Sequence, residues 1–167
     1  YHEIAEKGGG ILNSAKKLQL KIEDQLYNDA VIRIEEIIKS GTGALEIKSG
    51  YGLTLDSELK MLQVIKKLKE TFPIPIKATF LGAHAIPSKY KENREEYIEL
   101  IINNIIPEVA SQKLADYIDV FCEKGYFSAE ETDRILKAGA IHGLIPKIHV
   151  NQFNSVGGVK VGVNNNA

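Results

Sequence analysis

Four times in succession, a short apolar run rich in β-branched residues is followed by a longer segment whose apolar positions recur at helical spacing. This rhythm commits a chain to parallel strands, because parallel neighbours need a long crossover and that crossover is usually a helix. Ala44 to Ile47 reads as the first strand, emptying into the loop Ser49-Gly50-Tyr51-Gly52. In the helix that follows, Leu55, Leu59, Leu62, Ile65 and Leu68 keep one face apolar as far as Phe72-Pro73, with Thr54 or Asp56 available as N-cap. Ile74 to Leu81 then reads as strand, Asn93 to Ser111 as helix, Tyr117 to Cys122 as strand and Ser128 to His142 as helix. Pro146 to Val150 is the fourth strand, with a helix from Ser155 onward. A further helix precedes the series from Gln25, with Leu26, Ala30, Ile34, Ile37 and Ile38 on one face and Ser40-Gly41 as its stop.

The strands read as apolar rather than alternating, which suits a parallel sheet covered by helices. The fold class is α/β, either an open doubly wound sheet or a closed barrel, and in both the chemistry gathers at the carboxyl ends of the strands. Those ends are Lys48 to Gly52, Gly82 to Pro87, Glu123 to Gly125 and His149 to Phe153. Nothing resembling a linker divides residues 1–167, and apart from the closing asparagine run there is no low-complexity tract.

Composition excludes several function classes. With 44% hydrophobic and 26% charged residues the chain can bury a sizeable core. Its 21 Lys and Arg against 22 Asp and Glu leave no positive excess to neutralise phosphates or an anionic membrane, so nucleic acid and membrane partners are not expected. The apolar stretch from Ile101 to Ile106 is broken by Asn103 and Asn104 and falls short of the roughly 20 residues of a membrane span. The single cysteine, Cys122, excludes an intrachain disulfide and fits the cytoplasm. A start at Tyr1 and an end at Asn164-Asn165-Asn166-Ala167, just inside a helical segment, lead us to expect an internal piece of a longer protein.

Three strand ends carry candidate chemistry. In Lys147-Ile148-His149-Val150-Asn151-Gln152 a strand delivers an imidazole and, three residues on, a side-chain amide to the same rim. Imidazole is a common metal ligand, although a histidine at a strand end is also often structural. In Thr79-Phe80-Leu81-Gly82-Ala83-His84-Ala85-Ile86-Pro87, small residues let the chain leave the strand sharply and carry His84 over the rim. There it either hydrogen-bonds a polar substrate and polarises a carbonyl, or is held by a backbone carbonyl. In Glu46-Ile47-Lys48-Ser49-Gly50-Tyr51-Gly52-Leu53 the glycines flank a phenol suited to a planar heterocycle, or simply form a tight turn. Phosphate-binding glycine patterns are absent.

The remaining features have plainer readings. Glu123 either faces the mouth of the fold or pairs with a neighbouring lysine. Cys122 reads as core packing, His142 as a helix C-terminus residue, His2 as surface, and Gly8-Gly9-Gly10 as a flexible turn.

In this order, the blocks YHEIAEKGGGI, EIKSGYGL, TFLGAHAIP, DVFCEKGYFS and KIHVNQF closely resemble the imidazolonepropionase family of the amidohydrolase superfamily, from Tyr1 to about Gly158. The resemblance implies a distorted (β/α)8 barrel beside a small β-sandwich built from both chain ends, and one Zn or Fe ion. By position, His149 would be the metal-ligand histidine of the fifth barrel strand. Tyr51 and His84 match residues that hold the substrate ring and its carbonyl side, and Tyr1 matches a tyrosine near the substrate acid. Gln152 falls where some relatives have Glu, and an amide cannot take up a proton at neutral pH, so general-base work would fall elsewhere. An HxH pair before Tyr1, a later histidine and an aspartate, all outside this chain, are the family's other site residues.

The implied chemistry is metal-dependent hydrolysis of the ring amide of 4-imidazolone-5-propanoate to N-formiminoglutamate, in histidine degradation. Metal binding lowers the pKa of water from about 15.7 to about 7. The substrate's propanoate would need a cationic partner from before Tyr1, and a homodimer is compatible with this reading. Two rivals stand beside it. One is an aminohydrolase acting on another ring, against which Gln152 argues, since those enzymes commonly need a carboxylate three residues after the histidine. The other is a binding fragment without metal, because catalytic sites usually need about three protein ligands. An open half-barrel would also expose strand edges and apolar faces, so a stable form is expected to need further strands or a partner chain.

Overall fold

The structure, a computed structural model, describes residues 10–167. Its centre is a sheet of four parallel strands in the order β1-β2-β3-β4: Leu45–Lys48, Ile76–Ala83, Tyr117–Cys122 and Ile145–Val150. Each strand pairs with its successor, and the order does not reverse as it would in a doubly wound sheet. Strand positions Ala78, Phe80, Ile118 and Val120 join one continuous core with helix residues Ile34, Leu62, Ile98, Ile105 and Ile135. The opposite face carries Glu46, Lys48, Thr79, Asp119, Lys147 and His149, which contact one another. Consecutive order with one helix-covered face is the arrangement of part of a (β/α) barrel.

The expectation of uniformly apolar strands is therefore corrected. Ile118-Asp119-Val120 and Lys147-Ile148-His149 alternate, because the second face of the sheet is a polar barrel interior and not a second helix interface.

Helices α1 (Ile11–Gln19) and α2 (Glu23–Lys39) precede β1. The sequence reading missed α1, in which Ile11, Leu12 and Ala15 pack with Leu53 and Ala85 above the loops after β1 and β2. Helix α3 (Leu55–Thr71) follows β1, with the Thr54 hydroxyl accepting the Ser57 N–H at 3.2 Å, which settles the choice of cap. The helix expected from Asn93 to Ser111 is α4 (Arg94–Leu100), a π-helical stretch Ile101–Ile105, and α5 (Ile106–Ser111). Pro107 is the cause: it has no N–H to give, and its ring would collide with the carbonyl four residues back, so the ladder widens just before it.

Helix α6 (Ala129–Ile141) opens with a reciprocal cap, Ser128 Oγ accepting from Glu131 N and Glu131 Oε2 accepting from Ser128 N. Helix α7 (Gly158–Asn164) starts later than expected, after Gly157 at φ +85. A Cβ on Gly158 would lie 2.5 Å from Val150 Cγ1 and 2.9 Å from Cys122 Sγ, so the glycine sets how closely α7 approaches the sheet. Among the described residues, no helix is long and apolar enough to cross a membrane.

The amino-terminal end of the sheet is tied by Asp116. Its Oδ2 accepts from Lys69 Nζ at 2.7 Å and Ala78 N at 2.8 Å, and its Oδ1 accepts from Lys77 Nζ at 3.1 Å. Burial raises the pKa of this carboxyl, but the Lys69, Ala78 and Lys77 donors outweigh it and bring the value from 3.8 down to about 2. A depressed carboxyl stabilises the fold above its unfolded pKa, and that stability drains away as pH falls toward the folded value. Asp116→Asn in the full-length protein is therefore expected to lower stability at neutral pH and to flatten the loss of stability between about pH 4 and about pH 2. Acid titrations followed by circular dichroism check this; superimposable curves for variant and wild type would exclude it.

Candidate active site

Tyr51, His84 and His149 come together at the carboxyl ends of the strands. The Tyr51 ring meets His84 edge-on with centroids 5.1 Å apart, and His84 lies 6.1 Å from Phe121, which in turn lies 6.2 Å from His149. Phe121 is buried, so it forms a floor between the two imidazoles, while Tyr51, His84 and His149 stay partly open to solvent.

Local structure explains each placement. A bulge between Phe80 and Ala83 in the β2–β3 pairing turns the chain outward and sends His84 over the sheet end. His84 Nδ1 lies 3.0 Å from the Gly50 carbonyl oxygen. That oxygen can only accept, so Nδ1 carries the proton and, in the neutral ring, Nε2 keeps its lone pair. Burial pushes the His84 pKa down against the upward pull of the Gly50 carbonyl, so the ring is neutral at physiological pH. The structure thus realises the backbone-held arrangement for His84 while leaving its second nitrogen available to a ligand.

His149 is carried by β4 opposite Phe121. Its Nδ1 lies 2.8 Å from Asp119 Oδ2 but without hydrogen-bond alignment, and Nδ1 and Asp119 Oδ1 have no hydrogen-bond partner among the described residues. Lys48 Nζ donates to the same Oδ2 at 2.7 Å. Burial raises the Asp119 pKa, but His149 and Lys48 together more than offset it and keep the group ionised. Below this pair, Glu46 Oε1 accepts from Thr79 Oγ1 at 2.6 Å and lies 3.2 Å from Lys48 Nζ, and its Oε2 lies 2.8 Å from Lys147 Nζ. The ladder balances charge across three strands and stiffens the base from which His149 projects.

A carboxylate behind the imidazole is the support that metal-bound histidines commonly have. On that observation the donor set fits one metal ligand with its backing. Among the described residues no group of three or more His, Cys, Asp or Glu side chains is placed to hold an ion, so the described residues complete no metal site by themselves.

The other candidates divide. Gln152 is exposed on the loop after β4, with no contact to Tyr51, His84 or His149 among those described. Tyr1, His2, Gly8 and Gly9 lie outside the described residues. Glu123 is 1% exposed, and the pairing with a neighbouring lysine is not found: its partners are backbone N–H groups and an asparagine amide. It accepts from Lys124 N at 2.8 Å, Phe153 N at 2.9 Å, Asn154 N at 3.2 Å and Asn154 Nδ2 at 3.1 Å. Burial alone would raise its pKa; the backbone donors of Phe153, Lys124 and Asn154 bring it to about 2. Glu123 therefore pins the loop that bears Gln152. Cys122 is fully buried, and burial pushes its thiol pKa up, as core packing requires. His142 is the C-terminal cap residue of α6 and is exposed.

Two residues escaped the sequence reading, Asp119 and Glu58. Each left a signal: Asp119 sits between apolar neighbours in a strand, and Glu58 interrupts the Leu55, Leu62 and Ile65 stripe of α3. A charge inside a buried stripe calls for a specific partner.

No family model matches the chain. Among curated proteins it is 64% identical over all 167 of its residues to the imidazolonepropionase of Flavobacterium johnsoniae, covering 41% of that protein. It is 61% identical over 167 residues to that of Christiangramia forsetii, and 44% identical over 161 residues, 96% of the chain, to that of Brevibacillus brevis. The chain spans about two fifths of the length of these relatives. Identity sustained from end to end, on a parallel βα framework that gathers Tyr51, His84 and His149 at one rim, shows that the chain belongs to the imidazolonepropionase family.

Proposed function

We propose that the full-length protein hydrolyses the ring amide of 4-imidazolone-5-propanoate to N-formiminoglutamate, as a cytoplasmic step of histidine degradation. The observation that carries this reading is the convergence of Tyr51, His84 and His149 around the Phe121 floor. A flat heterocycle fits there, with the Tyr51 ring against one edge and the His84 Nε2 lone pair accepting a ring N–H. His84 in this tautomer orients the ring nitrogen; it does not polarise the carbonyl.

A Zn or Fe ion held by His149 and by ligands outside this chain would supply Lewis acidity toward the attacked carbonyl. Asp119 and Lys48 hold His149 in place, and Glu123 fixes the loop from which Gln152 can reach substrate as a hydrogen-bonding amide. The lone buried Cys122 suits a reducing compartment. The barrel's remaining strands would come from chain outside these residues.

Loss of imidazolonepropanoate absorbance tests the proposal. His84→Ala in the full-length protein is expected to lower kcat/KM by about 10²-fold, the scale of losing a positioned hydrogen-bonding group, with metal content unchanged. Turnover equal to wild type would remove His84 from the site. A second reading, a binding fragment without metal, is favoured for the 167 residues alone because no group of three or more His, Cys, Asp or Glu among the described residues is placed to hold an ion. Metal retained by the full-length protein and not by these residues separates the two.

A further inference from the structure

Glu58 lies in the first turn of α3, is 0% exposed, and is the charged member of that helix's buried set beside Leu62, Val64, Ile65 and Leu68. Its Oε2 accepts the Gly50 N–H at 3.0 Å, and its Oε1 accepts those of Gly52 and Leu53, both at 2.8 Å. Beside it, the Ser49 hydroxyl accepts from Leu81 N at 3.0 Å. One carboxylate therefore gathers the N–H groups of Gly50, Gly52 and Leu53, passing over Tyr51, whose ring turns to His84.

The loop held this way is not relaxed. Gly50 sits at φ +102 and Leu53 at φ +56, a conformation that leucine adopts only when its surroundings impose it. Gly50 is gripped at both ends: its N–H goes to Glu58 and its carbonyl takes the His84 Nδ1 proton. Burying a carboxylate completely is costly unless donors surround it, and a loop needing only to join β1 to α3 would not require that arrangement. What the arrangement secures is the direction of the Gly50 carbonyl and the seat of the Tyr51 ring.

We propose that Glu58 is a positioning residue, holding the Ser49 to Leu53 loop so that Tyr51 and the Nε2 lone pair of His84 face substrate, without touching substrate itself. The proposal rests on the reading that those two side chains bind the imidazolone ring. Its physical core is separate from that reading: removing the carboxylate frees the Gly50 carbonyl and with it the tautomer of His84.

The test uses the full-length protein with Glu58→Gln. Glutamine keeps the volume but turns one acceptor oxygen into an NH2 that must face N–H donors. Two readouts are taken, ring 15N resonances of His84 and steady-state kinetics with imidazolonepropanoate, alongside melting and metal content. The expected result is a mixture of His84 tautomers where wild type shows one, and kcat/KM lower by about 100-fold, the cost of misplacing groups by about an ångström. Cooperative melting and wild-type metal content are retained. If the wild-type protein has no turnover while the 15N signature moves as expected, the functional reading fails and the positioning role stands. A folded E58Q with unchanged His84 resonances overturns the proposal, as does one with unchanged kcat/KM beside an active wild type. Should E58Q not fold, Glu58→Asp, which keeps the charge but falls a methylene short, is read in the same way. Failure of both to fold also overturns it, making Glu58 a requirement of the fold.

Discussion

With His149 as ligand of the proposed metal, replacing it with alanine in the full-length protein is expected to strip that metal and stop the proposed turnover while leaving the fold in place. The strand supplies a rigid mount, through backbone pairing of His149 with Phe121, and alanine preserves that pairing. The imidazole is 42% exposed, so its removal opens no buried cavity. Its loss leaves Asp119 with Lys48 still at 2.7 Å, which limits the cost of the uncompensated carboxylate. Changes to groups that merely support a metal ligand lower metal affinity by about 10–100-fold, so deleting a ligand should exceed about 100-fold. Elemental analysis after dialysis and the absorbance assay measure the two effects. Retained metal with retained turnover would dismiss His149 as a ligand.

Gly50→Ala should be strongly destabilising for a change of a single methyl group. Its φ of +102 is strained for any L side chain, and the added Cβ would sit 2.7 Å from the Leu81 carbonyl oxygen and 3.0 Å from Leu81 Cγ. The oxygen belongs to β2 and cannot withdraw without disturbing the sheet. Backbone strain of about 1–2 kcal/mol and overpacking of about 1–3 kcal/mol together predict a loss of roughly 2–5 kcal/mol. The same change would move the Gly50 N–H off Glu58 and the carbonyl off His84, so activity should fall as well. Gly125→Ala is the control, since Gly125 has φ +85 but open space around a Cβ. Denaturation of both variants decides it: equal losses would mean that the collision with Leu81 contributes nothing.

Much of the framework was legible because its cause is local. Tyr117 to Cys122 is observed with the bounds read from sequence, and the rim positions of Tyr51, His84 and His149 followed from where each apolar run ended. Helix α1 was missed because its nine residues carry little apolar surface of their own and are held by Leu53 and Ala85, far along the chain. The π-helical stretch was hidden because Pro107 perturbs residues before it while the helical pattern continues through. The supports of the site were illegible for a different reason. Asp119 finds Lys48 across 71 positions, and Glu123 finds Phe153 across 30, so neither role exists until the strands are side by side.

The alternation in β3 and β4 also guards against mispairing. Sliding a strand by one position would send Asp119 or Lys147 beneath the helices and turn Val120 or Ile148 into the lumen, exchanging satisfied charges for stranded ones. A slide by two would restore the faces but part Lys48 from Asp119 and Glu46 from Lys147. The charged lumen thus acts as a combination lock for strand alignment, rejecting both the odd and the even errors that a uniformly greasy sheet would tolerate.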